Sequence, residues 1–248
     1  MNLLAKKVNI VYNINMVYET TAESPRERRR KANKKRILDQ TMDLILEHGF
    51  QGVSIHKIAA ALDYTPGALY RYFPSKDALI AALATQVIED FAVEVNTMAQ
   101  AYEEQGPLHQ IMASLYAYKE MANKKPHQFG LLSMLMAEPR MLVPHEEDAA
   151  PTVVAIADAL KPLLAAYKKA AEGGALKKGD AQERAVVAFA ALHGVLQLRK
   201  QEPRAPAFFP IDRLCAVTIR GLLIADGAQE DAVDQVLAFF AAPAQEIN

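Results

Sequence analysis

Apolar residues recur three and four positions apart in nearly every segment of the chain, and no convincing run shows the period of two that a half-buried strand requires. That spacing confines the chain to helices, so the expected fold class is all-α. Prolines, glycines and Ser/Thr/Asp caps divide the helices from one another. With 248 residues, one or two domains are expected. A hydrophobic share of 51% against 23% charged residues supplies a real core and excludes a mostly disordered chain. Cys215 is the single cysteine, which excludes a disulfide framework and a cysteine-based zinc site.

The stretch Met1 to Tyr18 makes a poor signal peptide, because asparagines interrupt its apolar run and no small-residue cleavage site follows. Met16 is an alternative start residue. No run of about 18 uncharged apolar residues is present, so no membrane partner is expected and a cytoplasmic location is. Charge is unevenly shared: residues 1–80 carry 13 Lys and Arg against 8 Asp and Glu, whereas residues 81–248 carry 15 against 21.

A basic run, Arg26 to Arg36, leads into a helix with the stripe Ile37, Leu38, Thr41, Met42, Leu44 and Ile45, ending near His48-Gly49. Ser54 caps a short helix to Leu62. Thr65 caps a second, with Pro66 at its first position, running to about Tyr72. Pro74 stops it, and Ser75 caps a long helix reaching about Glu104. Two short helices about a three-residue turn, following a longer one, read as helix-turn-helix.

Arg36-Ile37-Leu38, His48-Gly49-Phe50, Ser54-Ile55-x-Lys57-Ile58-Ala59 and the run Thr65 to Leu79 resemble the TetR family of bacterial regulators. The resemblance implies a three-helix DNA-binding domain with helix-turn-helix, joined to a larger helical ligand-binding and dimerisation domain. The expected divisions are 1–25, a flexible N-terminal extension; 26–76, the DNA-binding domain; and 77–248, the regulatory and dimerisation domain. Phe189 to Gly194 resembles a subclass with a Trp-x-x-x-His-Gly signature, with Phe189 in the aromatic place.

An α-helix fits the major groove and brings three or four side chains to base edges. Here Thr65, Gly67, Ala68 and Arg71 are candidates, with Tyr64 just before them. Thr65 offers a methyl or a hydroxyl, Ala68 a close apolar contact, Gly67 close backbone approach, and Arg71 a bidentate fork for guanine or phosphate. The resemblance places Ser54, His56, Tyr70, Tyr72 and Lys76 on the DNA backbone, where donors near helix starts suit an anion. The basic run would add sequence-independent attraction, or remain a solvated tail.

Beyond the long helix, helices are expected from Pro107, from Pro126, over Thr152–Glu172, from an Asp180-x-x-Glu183 capping box to about Arg199, over 211–224 and over 229–240, with a loop from Pro139 to Pro151. The helix after Asp180 is apolar nearly all round and needs cover on two sides. Val187, Ala191, Val195, Leu222 and Phe240 are candidates for the second cover, a twofold mate; the alternative is a helix central to a monomer. Met112, Tyr116, Phe129, Met134 and His193, with Tyr118, Met121 and Met136, offer the adaptable surface of a small-molecule pocket, and equally that of an ordinary core.

Gly174 to Asp180 has P-loop glycine spacing without the Lys-Ser/Thr and reads as a tight loop. His145 to Asp148 reads as a solvated loop rather than a metal site. No catalytic motif, metal set or cofactor signature emerges. The expectation is a homodimeric regulator, a repressor binding a palindromic double-stranded operator and released by a small-molecule effector. The alternatives are an effector-independent DNA-binding protein, and an enzyme or scaffold on a helical fold.

Overall fold

A computed structural model describes residues 24–49, 52–137 and 146–241. Most of the 1–25 extension, Phe50 and His145 lie outside the described residues. The chain divides into two compact units, Met1–Ile37 and Leu38–Asn248.

In the first unit the described residues open helix α1, Pro25–His48. A reciprocal cap starts it: the Ser24 hydroxyl accepts from the Glu27 N–H at 3.2 Å, and the Ser24 N–H donates to the Glu27 carboxylate at 2.8 Å. Those bonds hold the Glu27 carboxyl below its usual range. Pro25 sits at N1, where no donor is lost. The basic run is therefore helical from its beginning. At about 100° per residue its eight cations spread around the axis instead of forming one stripe.

The second unit takes up the rest of α1 and then α2 (Ile55–Ala61), α3 (Pro66–Tyr70) and α4 (Lys76–Ala101). It continues with α5 (Pro107–Lys124), α6 (Pro126–Ala137), α7 (Glu146–Glu172) and α8 (Ala181–Gln197). A 3-10 turn over Leu198–Gln201 leads to α9 (Ile211–Ala225) and α10 (Glu230–Ala241). Ile58, Leu69, Leu79 and Leu83 are fully buried among the first helices, as are Ile111, Phe129, Leu131, Tyr167 and Leu192 among the later ones. Helix α4 packs on α5, α6 and α7.

The helical punctuation is largely as the residues imply, with three differences. Helix α3 has only five residues, so Arg71 is its C-cap and Tyr72 lies in the following turn. Helix α4 stops at Ala101 because the chain turns through Tyr102 to Gly106, and Gly106 takes a φ of +97°. Helix α7 begins at Glu146, inside the stretch expected to be a loop, and continues through Pro151 and Pro162. Each proline withholds one backbone donor. Burial of Ala155, Leu163, Ala166 and Tyr167 along the same helix outweighs that loss.

Candidate nucleic-acid interface and apolar cavity

Three side-chain caps build the helix-turn-helix. The Ser54 hydroxyl accepts from the Lys57 N–H at 3.3 Å, Thr65 from the Ala68 N–H at 3.2 Å, and Ser75 from the Ala78 N–H at 3.0 Å. Thr65 therefore does cap its own helix, leaving its methyl and its hydroxyl proton for other contacts. Between α2 and α3, Asp63 adopts a φ of 56°, the left-handed conformation that the tight turn demands. Lys76 donates to the Val53 carbonyl at 2.9 Å, fastening the first turn of α4 to the segment before α2. Two of its three ammonium protons remain for other acceptors.

Leu69 and Phe73 point inward and are buried. The opposite side of α3 is open: Thr65, Gly67 and Arg71 are exposed, Tyr70 is 51% exposed, and Tyr64, Ala68 and Tyr72 are half-buried. His56 is exposed on α2, and Ser54 is half-buried at its start. A Cβ added to Gly67 would meet nothing within 4 Å, so the protein's own packing does not require glycine there. The ten residues proposed for DNA thus lie on α2, α3, their caps and flanking turns, and the start of α4.

Further along α4 its side chains line an apolar cavity of about 210 Å³. Ala81, Ile88, Phe91 and Val95 come from α4, Tyr118 from α5, Phe189 from α8, and much of the rest from α7. None of Met112, Tyr116, Phe129, Met134 and His193 is among the lining residues; of the wider set of aromatic and methionine residues, Tyr118 and Met136 are. Met112 and Phe129 are buried in the core. Tyr116 packs against the Phe240 ring at 5.5 Å, and Met134 is half-buried on α6. Sequence reading missed the α7 wall, because aliphatic residues such as Val153, Ile156 and Leu160 look alike whether they fill a core or border a void.

His193 stands one layer behind that wall. Its Nδ1 lies 2.7 Å from the Tyr118 hydroxyl and its Nε2 lies 2.9 Å from the Gln197 amide nitrogen. Its ring stacks on Phe189 at 6.0 Å. The Arg199 guanidinium sits 4.1 Å above the Phe129 ring. Burial, and secondarily the Arg199 charge, lower the His193 pKa, while burial pushes the Tyr118 hydroxyl up.

Helix α8 buries Ala185, Ala188, Leu192, His193 and Leu196. Its other side exposes Val186, Val187, Ala190 and Gly194, and the neighbouring α9 exposes Val217 and Gly221. A Cβ at Gly194 or Gly221 would meet nothing within 4 Å. Of the residues put forward for a dimer, Val187 is exposed, and Ala191, Val195 and Leu222 are half-buried. Phe240 is only 8% exposed and is held inside the chain by Tyr102, Tyr116 and His109.

The 173–180 stretch is the turn joining α7 to α8, with Gly174 at a φ of +77°. There the Asp180 carboxylate accepts from the Gln182 and Glu183 N–H groups. Among the described residues no three His, Cys, Asp or Glu side chains gather as metal ligands, and no helix is long and apolar enough to cross a membrane.

Residues 37–83 match the sequence family described as bacterial regulatory proteins, tetR family. The nucleoid occlusion factor SlmA of Haemophilus ducreyi is 32% identical over 97 residues, which are 39% of this chain and 47% of that protein. The HTH-type transcriptional repressor KstR of Mycobacterium tuberculosis is 42% identical over 69 residues, 27% of this chain and 29% of that one. The chain thus spans about half the length of the first of these curated relatives, and less of the second.

Among solved structures, RolR without ligand superposes with a TM-score of 0.63 at 17% identity, covering 86% of this chain and 100% of its own. SmeT, the repressor of the Stenotrophomonas maltophilia multidrug efflux pump SmeDEF, superposes with a TM-score of 0.55 at 22% identity, covering 79% and 91%. These likenesses carry the all-helical fold, and the sequence match falls on the capped helices that carry the open face of α3. It is residues 37–83, the helix-turn-helix segment, that are similar to the tetR family of bacterial regulatory proteins.

Proposed function

We propose that the chain is a transcriptional repressor that binds a palindromic operator as a homodimer and is released by a small-molecule effector. The observation that carries this reading is the double engagement of α4. Its first turn is fastened to the helix-turn-helix through Lys76, and from Ala81 onward it borders the cavity. One rigid element therefore spans both sites, and an occupant that shifts it changes how the reading face is presented. A hundredfold weakening of operator binding requires the occupant to favour the released arrangement by roughly 2.7 kcal/mol.

Thr65, Gly67, Ala68 and Arg71, preceded by Tyr64, take the base-edge role. Ser54, His56, Tyr70, Tyr72 and Lys76 take the phosphates. In this reading residues 26–76 are the DNA-binding part and 77–248 the regulatory part. The dimer rests on the two helical glycines. Glycine inside an exposed helix costs roughly 1 kcal/mol relative to alanine. Neither Gly194 nor Gly221 is required by contacts within the chain, so close approach of a second chain accounts for both. The curated relative KstR is named as a repressor, and RolR has been solved with resorcinol bound, a ring that a cavity of this kind accommodates. The stacked Phe189 and His193 accord with the subclass resemblance of that segment.

The test is to select DNA fragments with the purified protein, then titrate the selected duplex with and without a cavity ligand. A symmetric selected site whose affinity falls at saturating ligand supports the reading; unchanged affinity at saturation refutes the effector half. Loss of binding in Arg71→Ala tests the reading face. The name of SlmA, a nucleoid occlusion factor, favours a second reading as an effector-independent DNA-binding protein. The open cavity argues against it.

A further inference from the structure

We propose that the cavity takes an uncharged, predominantly hydrocarbon molecule about the size of one substituted ring, and rejects molecules of the same shape that carry an ionised group. The proposal rests on reading this cavity as the effector site and names the chemistry that the site accepts. No Asp, Glu, Lys, Arg or His is among the described residues that line it. The polar side chains among them are Ser114, Tyr118 and Thr152, and each is already bonded within the protein. The Ser114 hydroxyl donates to the Gln110 carbonyl at 2.9 Å. Thr152 pairs with the Thr85 hydroxyl at 2.7 Å, and Tyr118 pairs with His193 at 2.7 Å.

An ion entering such a space loses its water and gains no opposite charge, a loss that real proteins seldom offset. A hydrocarbon loses nothing of the kind and gains contact with the wall. Size follows from volume. An apolar cavity of about 150 Å³ holds benzene, so one of about 210 Å³ holds a ring with a short substituent. The described part of the rim has the same character. Met136 and Val153, which line the space, are 54% and 58% exposed, so the rim presents apolar side chains to an approaching molecule.

Three molecules of matched shape test this with the full chain: ethylbenzene, phenylacetate and benzylammonium, each titrated by calorimetry. Saturable binding of ethylbenzene is expected, with both ions weaker by about a hundredfold. Either ion binding within tenfold of ethylbenzene, or no ethylbenzene binding at its solubility limit, overturns the proposal. Ala159→Phe fills the space and is expected to abolish ethylbenzene binding. Should that variant misfold, nuclear Overhauser contacts from bound ethylbenzene to the Tyr118 ring locate the ligand without a substitution. Contacts confined to Tyr102 and Phe239 would place it elsewhere and overturn the proposal. Operator affinity is read separately. Ethylbenzene that binds without releasing DNA sinks the effector reading and leaves the chemistry of the cavity standing; a preference for an ion does the reverse.

Discussion

Two residues of the helix-turn-helix depart from what folding alone would choose, in opposite senses. Asp63 occupies a left-handed conformation that costs most side chains about 1–2 kcal/mol and an aspartate somewhat less. Asp63→Gly is expected to raise stability by up to about 1 kcal/mol in urea titration, the gain trimmed by the flexibility glycine adds to the unfolded chain. Gly67 has an ordinary backbone and empty space where a Cβ would sit. Gly67→Ala is therefore expected to leave stability within about 0.5 kcal/mol of the parent or above it. The same change should weaken selected DNA by about tenfold in a mobility-shift titration, because the added methyl stands between backbone and duplex.

His193 offers a third test. Its folded pKa lies below the unfolded value of about 6.5, so the unfolded chain binds the extra proton first. The stability that the neutral ring contributes is complete above pH 6.5 and is lost as pH falls through the folded value. Melting temperatures measured from pH 7.5 down to 5 should show that decline, and His193→Gln should flatten it.

At the scale of elements, legibility follows from what the sequence encodes locally. The caps at Ser54, Thr65, Ser75 and Asp180 were readable because a cap involves residues only two or three apart. The start of α7 was not, since helix continuation through Pro151 is decided by burial along the helix rather than by the proline. The short capped helix α3 was visible from residue types and order. The cavity was legible only through Tyr118 and Met136, because its lining comes from helices far apart in the chain and its aliphatic wall carries no signature. Phe240 shows the same limit: its spacing fits an outward stripe, and only the packed structure turns it toward Tyr102 and His109.

For α8 and α9, the glycines give a sharp expectation. Gly194→Leu and Gly221→Leu each raise intrinsic helix propensity, and both positions are exposed with nothing in the chain within 4 Å of an added Cβ, so thermal stability of the subunit should hold. Sedimentation velocity should nonetheless show monomers, because a leucine at either place blocks close approach by a second helix.

At the scale of the molecule, charge is unevenly placed along the chain. The eight cations of Arg26 to Arg36 lie around α1 on all sides, an arrangement suited to attraction without a fixed register. Replacing Arg28, Arg29 and Arg30 by alanine should weaken selected and random duplexes alike. It should also reduce the slope of log affinity against log salt by about 1 to 3, near 0.9 for each phosphate that is no longer neutralised.

The Lys76 ammonium tied to the Val53 carbonyl, together with three successive hydroxyl caps, fixes the backbone that carries the proposed DNA contacts before any duplex arrives. With the backbone held in this way, only exposed side chains such as His56, Tyr70 and Arg71 are left to adjust to a poor partner. An unsuitable base pair meets an unyielding template, so discrimination should be expressed almost wholly as faster departure from the wrong site, with arrival rates nearly indifferent to sequence.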